Sequence, residues 1–115
     1  MIGGVAANAV SARAAMLDFR TWAATYLWNG QVVDWQQNGI SHSEGQGWGL
    51  LLAQAAGDRD AFEQIEAWTA AHLAVRQDRL MGWSRQPADG RIDWRNATDG
   101  DLFRAWALLR AGRNS

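Results

Sequence analysis

The chain has 115 residues, 48% of them apolar and 20% charged, with a formal net charge of −1. That composition suits a folded globular chain with one core, and the length suits a single domain. The near-neutral balance offers no electrostatic footprint for nucleic acid or an anionic membrane, and no apolar run reaches the roughly eighteen residues that span a bilayer.

Cysteine is absent, which excludes disulfides and thiol catalysis. The two histidines, His42 and His72, lie far apart in sequence, so no zinc site is expected, nor any other metal or cofactor. Tryptophan is the outlier, with eight copies against one Tyr and three Phe. An indole offers a large flat apolar face and one N–H donor. The excess therefore implies heavy core packing, a groove lined for flat ligands such as sugar rings, or both. For any single Trp, core packing is the expectation.

Taken in order, the opening stretch holds Ala7-Asn8-Ala9 and Ala12-Arg13-Ala14, small-x-small triplets of the signal-cleavage type. Residues 1–14 read either as the remnant of a signal peptide, which would make the protein secreted or periplasmic, or as an alanine-rich helix start. From Ala12 to Trp28 the apolar residues Ala12, Ala15, Met16, Phe19, Trp22, Ala23, Tyr26 and Leu27 recur at three and four, the spacing of one helical face. Asn29-Gly30 ends that helix with a turn. Gln31 to Trp35 reads as a short extended piece, and Gln36-Gln37-Asn38-Gly39 as a polar loop.

Ser43-Glu44-Gly45-Gln46 then has the form of a capping box, Ser43 accepting from the Gln46 N–H and Gln46 reaching back to the Ser43 N–H. Glu44 falls in the first turn of a helix that runs to Ala56 and stops at Gly57. Asp58 is the expected N-cap of the next helix, whose apolar face carries Phe62, Ile65, Trp68, Thr69, His72 and Leu73; His72 is expected to pack there or bond a neighbour. With so short a link these two helices should form an antiparallel hairpin.

Residues 76–97 form a long connection, of a length that tends to be functional. It contains Pro87, an Asp89-Gly90 turn and a second extended piece, Arg91 to Trp94. Thr98, as N-cap, and Asp101 restart a helix with Leu102, Phe103, Ala105, Trp106 and Leu109 as its apolar face. Gly30-Gln-Val-Val-Asp-Trp35 and Gly90-Arg-Ile-Asp-Trp94 echo each other, and each precedes a helix with a carboxylate in its first turn, Glu44 or Asp99. The echo suggests that the long connections gather at one end and place both carboxylates on one rim.

Several chemistries can be weighed on these residues. Gly39-Ile40-Ser41-His42-Ser43 nearly matches the G-x-S-x-G nucleophile elbow but ends in Ser. Gly45, Gly47 and Gly49 have a spacing unlike that of a nucleotide-binding loop. Carboxylates fit better. Acetal hydrolysis needs a protonated carboxyl for the leaving oxygen, and inversion adds a second carboxylate roughly 6.5–9.5 Å away to activate water. A helix N-terminus favours ionised Glu44, so an acid role needs burial or a nearby carboxylate such as Asp99 to outweigh the dipole. The residues alone leave capping carboxylates and a catalytic pair both open.

Read together, residues 20–113 resemble the N-terminal portion of glycoside hydrolase family 8, the bacterial endoglucanases. The resemblance rests on Asn29-Gly30-Gln-Val-Val-Asp34, Ser43-Glu44-Gly45-Gln46-Gly47-Trp48-Gly49, Gly57-Asp58-Arg59-Asp60-Ala61-Phe62 and Trp68-Thr69. It continues through Leu80-Met81-Gly82-Trp83, Ala97-Thr98-Asp99-Gly100-Asp101 and Ala107-Leu108-Leu109-Arg110-Ala111-Gly112-Arg113. The order and spacing of these pieces are more specific than any one of them.

The resemblance implies an all-α fold whose helix hairpins form the first part of an (α/α)6 barrel, with short extended segments in the connections. It implies inverting chemistry on a β-1,4-linked polysaccharide or oligosaccharide, glucan, xylan and chitosan remaining unseparated. Glu44 takes the place of the general acid, Asp99 that of the residue holding the sugar ring distorted at the cleavage site, and Trp83 that of a stacking aromatic. Asp34 and Asp101 match recurrent positions expected to be structural. Trp48 stands where the family has Tyr, and Gly100 where Ala is common.

Nothing corresponds to the family's catalytic base, an Asp far towards the C-terminus. Residues 1–115 are therefore expected to be a partial domain, the N-terminal third of the catalytic domain, whose exposed Trp- and Leu-rich helix faces would permit self-association. The alternative is a non-catalytic helical carbohydrate-binding or interaction module derived from such an enzyme.

Overall fold

The computed structural model describes residues 2–113, with side chains from 13 to 112. Its elements are α1 (Ile2–Tyr26), β1 (Leu27–Trp28), β2 (Gln31–Val32), a 3-10 turn (Trp35–Gln37), β3 (Ser41–His42), α2 (Ser43–Ala56), α3 (Arg59–His72), β4 (Ser84–Arg85), β5 (Ile92–Asp93) and α4 (Thr98–Arg113). The fold is mostly helical, and its short strands lie in the two long connections. The signal-peptide reading of residues 1–14 falls mainly on side chains outside the described residues.

α1 ends at Tyr26, two residues before the turn expected to stop it. Leu27 and Trp28 leave the helix to pair antiparallel with Val32 and Gln31. Asn29 and Gly30 both take positive φ, 51° and 85°, which is the two-residue hairpin geometry that matches strand twist. Gly30 is required twice over, because a Cβ there would also sit 2.7 Å from the backbone carbonyl carbon of Gln64 on α3.

The helix hairpin forms as the sequence implies. Gly57 closes α2 with φ 73°, and the Asp58 carboxylate accepts from the Ala61 N–H at 3.0 Å to open α3. The Gln46 amide donates to the Thr69 hydroxyl at 2.8 Å, while further along α2 a Cβ on Gly49 would touch Ile65 at 3.5 Å. Residues ascending α2 thus meet residues descending α3, and the pair is antiparallel. Leu50, Ala53, Ala56, Ala61 and Ile65 form the core with Phe19 of α1 and Ala107 of α4.

α4 returns parallel to α2. Ser43 lies against Gly100, and Gly47 against Phe103 and Arg104, so both helices start at the same end. That end is stitched by a three-stranded antiparallel sheet in which β3, from the first long connection, pairs with the β4–β5 hairpin of the second.

Several expectations need correction. The capping box does not form: His42 is the N-cap of α2 and its imidazole accepts from the Gly45 N–H. Ser43 and Gln46 are already buried helical residues, because Gln46 is drawn inwards to bond β2 and α3. Thr98 likewise lies inside α4, and Asp101 turns away from its own helix to serve the preceding loop.

None of the eight tryptophans is buried; Trp28, Trp35, Trp48, Trp94 and Trp106 are exposed. So large a side chain needs a deeper core than these four helices enclose. The apolar stripe on α4 also faces outward, with Leu102 61%, Trp106 55% and Leu109 55% exposed. α2 presents glycine to α4, which comes close there through Gly100, the Phe103 Cβ and the Arg104 backbone: a Cβ on Gly47 would stand 2.9 Å from the Gly100 carbonyl oxygen and 2.7 Å from the Phe103 Cβ.

Candidate active site at the paired helix starts

The start of α2 is fixed by two backbone donors and one packing contact. The Gly45 N–H donates to His42 Nδ1 at 2.9 Å. That amide can only donate, so Nδ1 is the unprotonated ring nitrogen and Nε2 carries the proton. Nε2 lies 3.0 Å from Asp34 Oδ2 and donates to it. Asp34 also accepts from the Gln36 N–H at 3.0 Å and the Gln37 side-chain amide at 2.8 Å. These donors, the imidazole foremost, hold its carboxyl below the ordinary 3.8, partly opposed by desolvation.

One residue on, the Ser43 N–H donates to the Trp83 carbonyl at 2.8 Å. Ser43 is fully buried, and its hydroxyl has no hydrogen-bond partner among the described residues. Its place is set by packing instead: a Cβ on Gly100 would lie 2.5 Å from Ser43 Cβ.

Ser43 is thus the point at which the three residues singled out in the sequence converge. Glu44 follows it in the first turn of α2. Asp99 precedes Gly100 in the first turn of α4. Trp83, half-buried, contributes the carbonyl that Ser43 binds, while its own N–H donates to the Asp93 carbonyl of β5 at 2.8 Å. Both carboxylates are exposed, and their side chains have no protein partner among the described residues. Two ionisable groups therefore stand free at the positive ends of two parallel helix dipoles.

The loop carrying Trp83 is tied down by Asp101, which accepts from the Met81 N–H at 2.9 Å and from the Asn96 amide. Asn96 in turn donates to the Met81 carbonyl at 3.1 Å. This agrees with the structural role expected of Asp101.

Other candidates do not gather here. Ser41 of the near-elbow is fully buried, and its hydroxyl accepts from Gln31 at 2.8 Å. His72 packs its ring 4.8 Å from that of Trp68, and burial, with the Arg85 charge, lowers its pKa. Among the described residues no cluster of three or more His, Asp or Glu could hold a metal ion.

Sequence reasoning missed the Asp34–His42 pair, the buried role of Gln46 and the bidentate Arg104–Glu66 ion pair joining α4 to α3. A usable signal existed only for His42, which stands at the residue before the acidic first turn. His is not among the preferred caps, and the serine beside it drew the assignment.

A mostly helical chain with two carboxylates on one helix-end rim has the layout expected of an all-helical glycosidase. Comparison with known proteins makes the class specific. The family model described as Glycosyl hydrolases family 8 matches residues 2–114. The chain belongs to glycosyl hydrolase family 8.

It is 40% identical over 110 residues to an endoglucanase of Cellulomonas uda, covering 85% of this chain and 30% of that relative. It is 45% identical over 89 residues to a probable endoglucanase of Novacetimonas hansenii, covering 74% of this chain and 25% of that one. Among solved structures, the endoglucanase of Komagataeibacter sucrofermentans superposes with a TM-score of 0.81 at 39% identity, over 87% of this chain and 32% of that one. The endo-beta-1,4-glucanase of Acetobacter xylinum gives 0.79 at 40% identity, over 86% and 32%. The chain thus spans a third or less of the length of these relatives.

Proposed function

We propose that these 115 residues are the N-terminal part of the catalytic domain of an inverting endo-β-1,4-glucanase, and that their helix hairpins open an (α/α)6 barrel. Glu44 is its general acid, protonating the glycosidic oxygen as the leaving sugar departs. Asp99 holds the ring at the cleavage site in its distorted form, and Trp83 stacks on a sugar face. The water-activating base stands across the scissile bond, at the roughly 6.5–9.5 Å separation of inverting enzymes, and is supplied by sequence other than these residues. The substrate is a β-1,4-linked polysaccharide, and the protein acts in the periplasm or outside the cell. Among the described residues no helix is long and apolar enough to cross a membrane.

The observation that carries this reading is the contact of Gly100 on Ser43. It brings the first turn holding Asp99 against the first turn holding Glu44, and the Ser43 N–H at that contact donates to the Trp83 carbonyl. Capping alone would not require two acids from separate helices to share a rim unpartnered.

The test supplies a C-terminal segment of a family 8 relative to complement the chain and follows hydrolysis of carboxymethyl-cellulose. Glu44→Gln should lower kcat by about 10²–10⁴-fold, the usual worth of a general acid. Full activity of Glu44→Gln in the complemented protein would sink the assignment.

The exposed tryptophans favour a second reading, a carbohydrate-binding module without catalysis. Trp28 and Trp35 flank a cleft of about 470 Å³, and Trp35 is held in place by its indole N–H on the Thr25 carbonyl at 2.8 Å. In that case the chain alone binds cello-oligosaccharide without cleaving it, and Trp83→Ala weakens the binding. The outward stripe of Leu102, Trp106 and Leu109 is an apolar face through which copies of the chain could self-associate.

A further inference from the structure

Helix α2 is capped by an unusual residue in an unusual way. Asn, Asp, Ser and Thr dominate N-caps because a short side-chain oxygen reaches the N2 or N3 amide. α3 follows that rule, with Asp58 capping Ala61 at 3.0 Å. α2 instead uses an imidazole, and the ring is aimed from behind by a carboxylate: Asp34 Oδ2 to Nε2 is 3.0 Å, and Nδ1 to the Gly45 N–H is 2.9 Å. The turn closed by that second bond contains Ser43 and Glu44.

We propose that His42 is a positioning residue for Glu44: uncharged, with its Nε2 proton on Asp34, it closes through Nδ1 the turn from which Glu44 projects. The proposal rests on the reading of Glu44 as the acid only for its consequence in catalysis; the cap itself stands on the distances.

The arrangement has a chemical limit. A carboxylate cap accepts from the helix N–H groups across the whole neutral range, whereas an imidazole has one lone pair to offer. Nε2 already carries a proton, so a second proton must enter at Nδ1. Two N–H groups then face each other and the cap is lost. Protonation at Nδ1 therefore releases the turn that holds Glu44.

The charges around the ring are few. Asp34 faces it from the connection before α2, and Glu44 stands two residues on along its own element. β4 sets Ser84 opposite His42, and the charged residue of that strand, Arg85, sits opposite Ser41 with its guanidinium over the Trp68 ring. β2 contributes apolar Val32, whose methyl lies beside Gly45. Asp34 holds Nε2 and offers nothing at Nδ1, where the cap is made.

The experiment uses the chain as it is, with heteronuclear NMR across the imidazole titration and amide hydrogen exchange corrected for its intrinsic pH dependence. Long-range correlations of the His42 ring should show the Nε2–H tautomer in the neutral form. As His42 takes up its second proton, protection of the Gly45 amide should fall about fivefold or more, the scale of a lost cap. The Glu44 Cα shift should move away from its helical value with the same midpoint. The Ala61 amide, capped by a carboxylate, should show no step there.

His42→Asn supplies a cap acceptor that does not titrate; it should keep Gly45 protected and abolish the step. An Nδ1–H tautomer, unchanged Gly45 protection across the His42 titration, or a step that survives in His42→Asn would each overturn the proposal. Activity of Glu44→Gln reads a different quantity, so failure of the acid assignment would leave these observations intact and distinguishable.

Discussion

Replacing Gln46 with Met tests how the start of α2 is held to the rest of the molecule. The side chain is fully buried and makes three bonds. Its Oε1 accepts from the Val32 N–H at 2.6 Å, and its amide donates to the Gly30 carbonyl at 3.1 Å and to the Thr69 hydroxyl at 2.8 Å. One residue thereby joins the β1–β2 hairpin, α2 and α3. Met has nearly the same length and no polar atom for these partners.

Thr69 keeps its own bond to the Ile65 carbonyl at 2.7 Å, so it loses least. The Val32 N–H and Gly30 carbonyl are left buried with their side-chain partner gone, at about 1–3 kcal/mol each. Less about 1 kcal/mol for the better burial of an apolar side chain, the net loss is about 1–5 kcal/mol, a large share of the stability of an ordinary domain. Urea unfolding followed by Trp fluorescence should show a lower midpoint at unchanged slope. A Gln46→Met chain within about 0.5 kcal/mol of the parent would refute this account, since surface substitutions cost that little.

Gln46→Glu sharpens the test. One carboxyl oxygen can still accept from Val32, but the other faces a carbonyl and must carry a proton to bond it. The folded state then binds more protons than the unfolded one, so stability of this variant falls as pH rises above about 4.3, the unfolded value. It should come closest to the parent in acid.

Gly30→Ala should cost about 2–5 kcal/mol by the same unfolding assay, from a left-handed φ added to overpacking against Gln64. Arg104→Ala removes the fork that grips both oxygens of Glu66 from a partly buried site and should cost about 2 kcal/mol; a double-mutant cycle with Glu66→Gln that returned no coupling would discount the pair. Asp34 has its pKa depressed in the folded chain, so its contribution is present above its ordinary 3.8 and is lost as pH falls through the folded value. Asp34→Asn should therefore destabilise at neutral pH and converge with the parent in strong acid, as read from unfolding midpoints along a pH series.

Helix existence and order were legible because they depend on local pattern. The three-and-four spacing of Phe19 and Trp22, the Gly57-Asp58 stop and start, and the Asn29-Gly30 turn each act within a few residues, and each is found where the sequence places it. Caps were less legible because a polar side chain near a helix start has several amides and carbonyls to choose from. Gln46 is called inwards by Val32, Gly30 and Thr69, none adjacent to it in sequence, and Asp101 by Met81. The facing of α4 was illegible for a related reason. Periodicity identifies an apolar stripe but not the partner that claims it, and the partner here is a glycine-bearing helix that takes α4 on its Gly100, Phe103 Cβ and Ala107 side instead.

The convergence of Glu44 and Asp99 follows from that same glycine contact. Gly in a helix costs about 0.5–1 kcal/mol against Ala, and α2 carries Gly45, Gly47 and Gly49 while α4 carries Gly100 in its first turns. With side chains there, the helices would stand further apart and could turn the Leu102–Trp106–Leu109 stripe inward against α2. With glycine, α4 approaches through Gly100 and Ala107, the stripe is left outward, and the two first turns meet at Ser43. Like charges brought together in this way repel, and the positive ends of both helix dipoles offset part of that repulsion. Helix propensity is given up where it would have kept the carboxylates apart, and the rim is the place where the gain is visible.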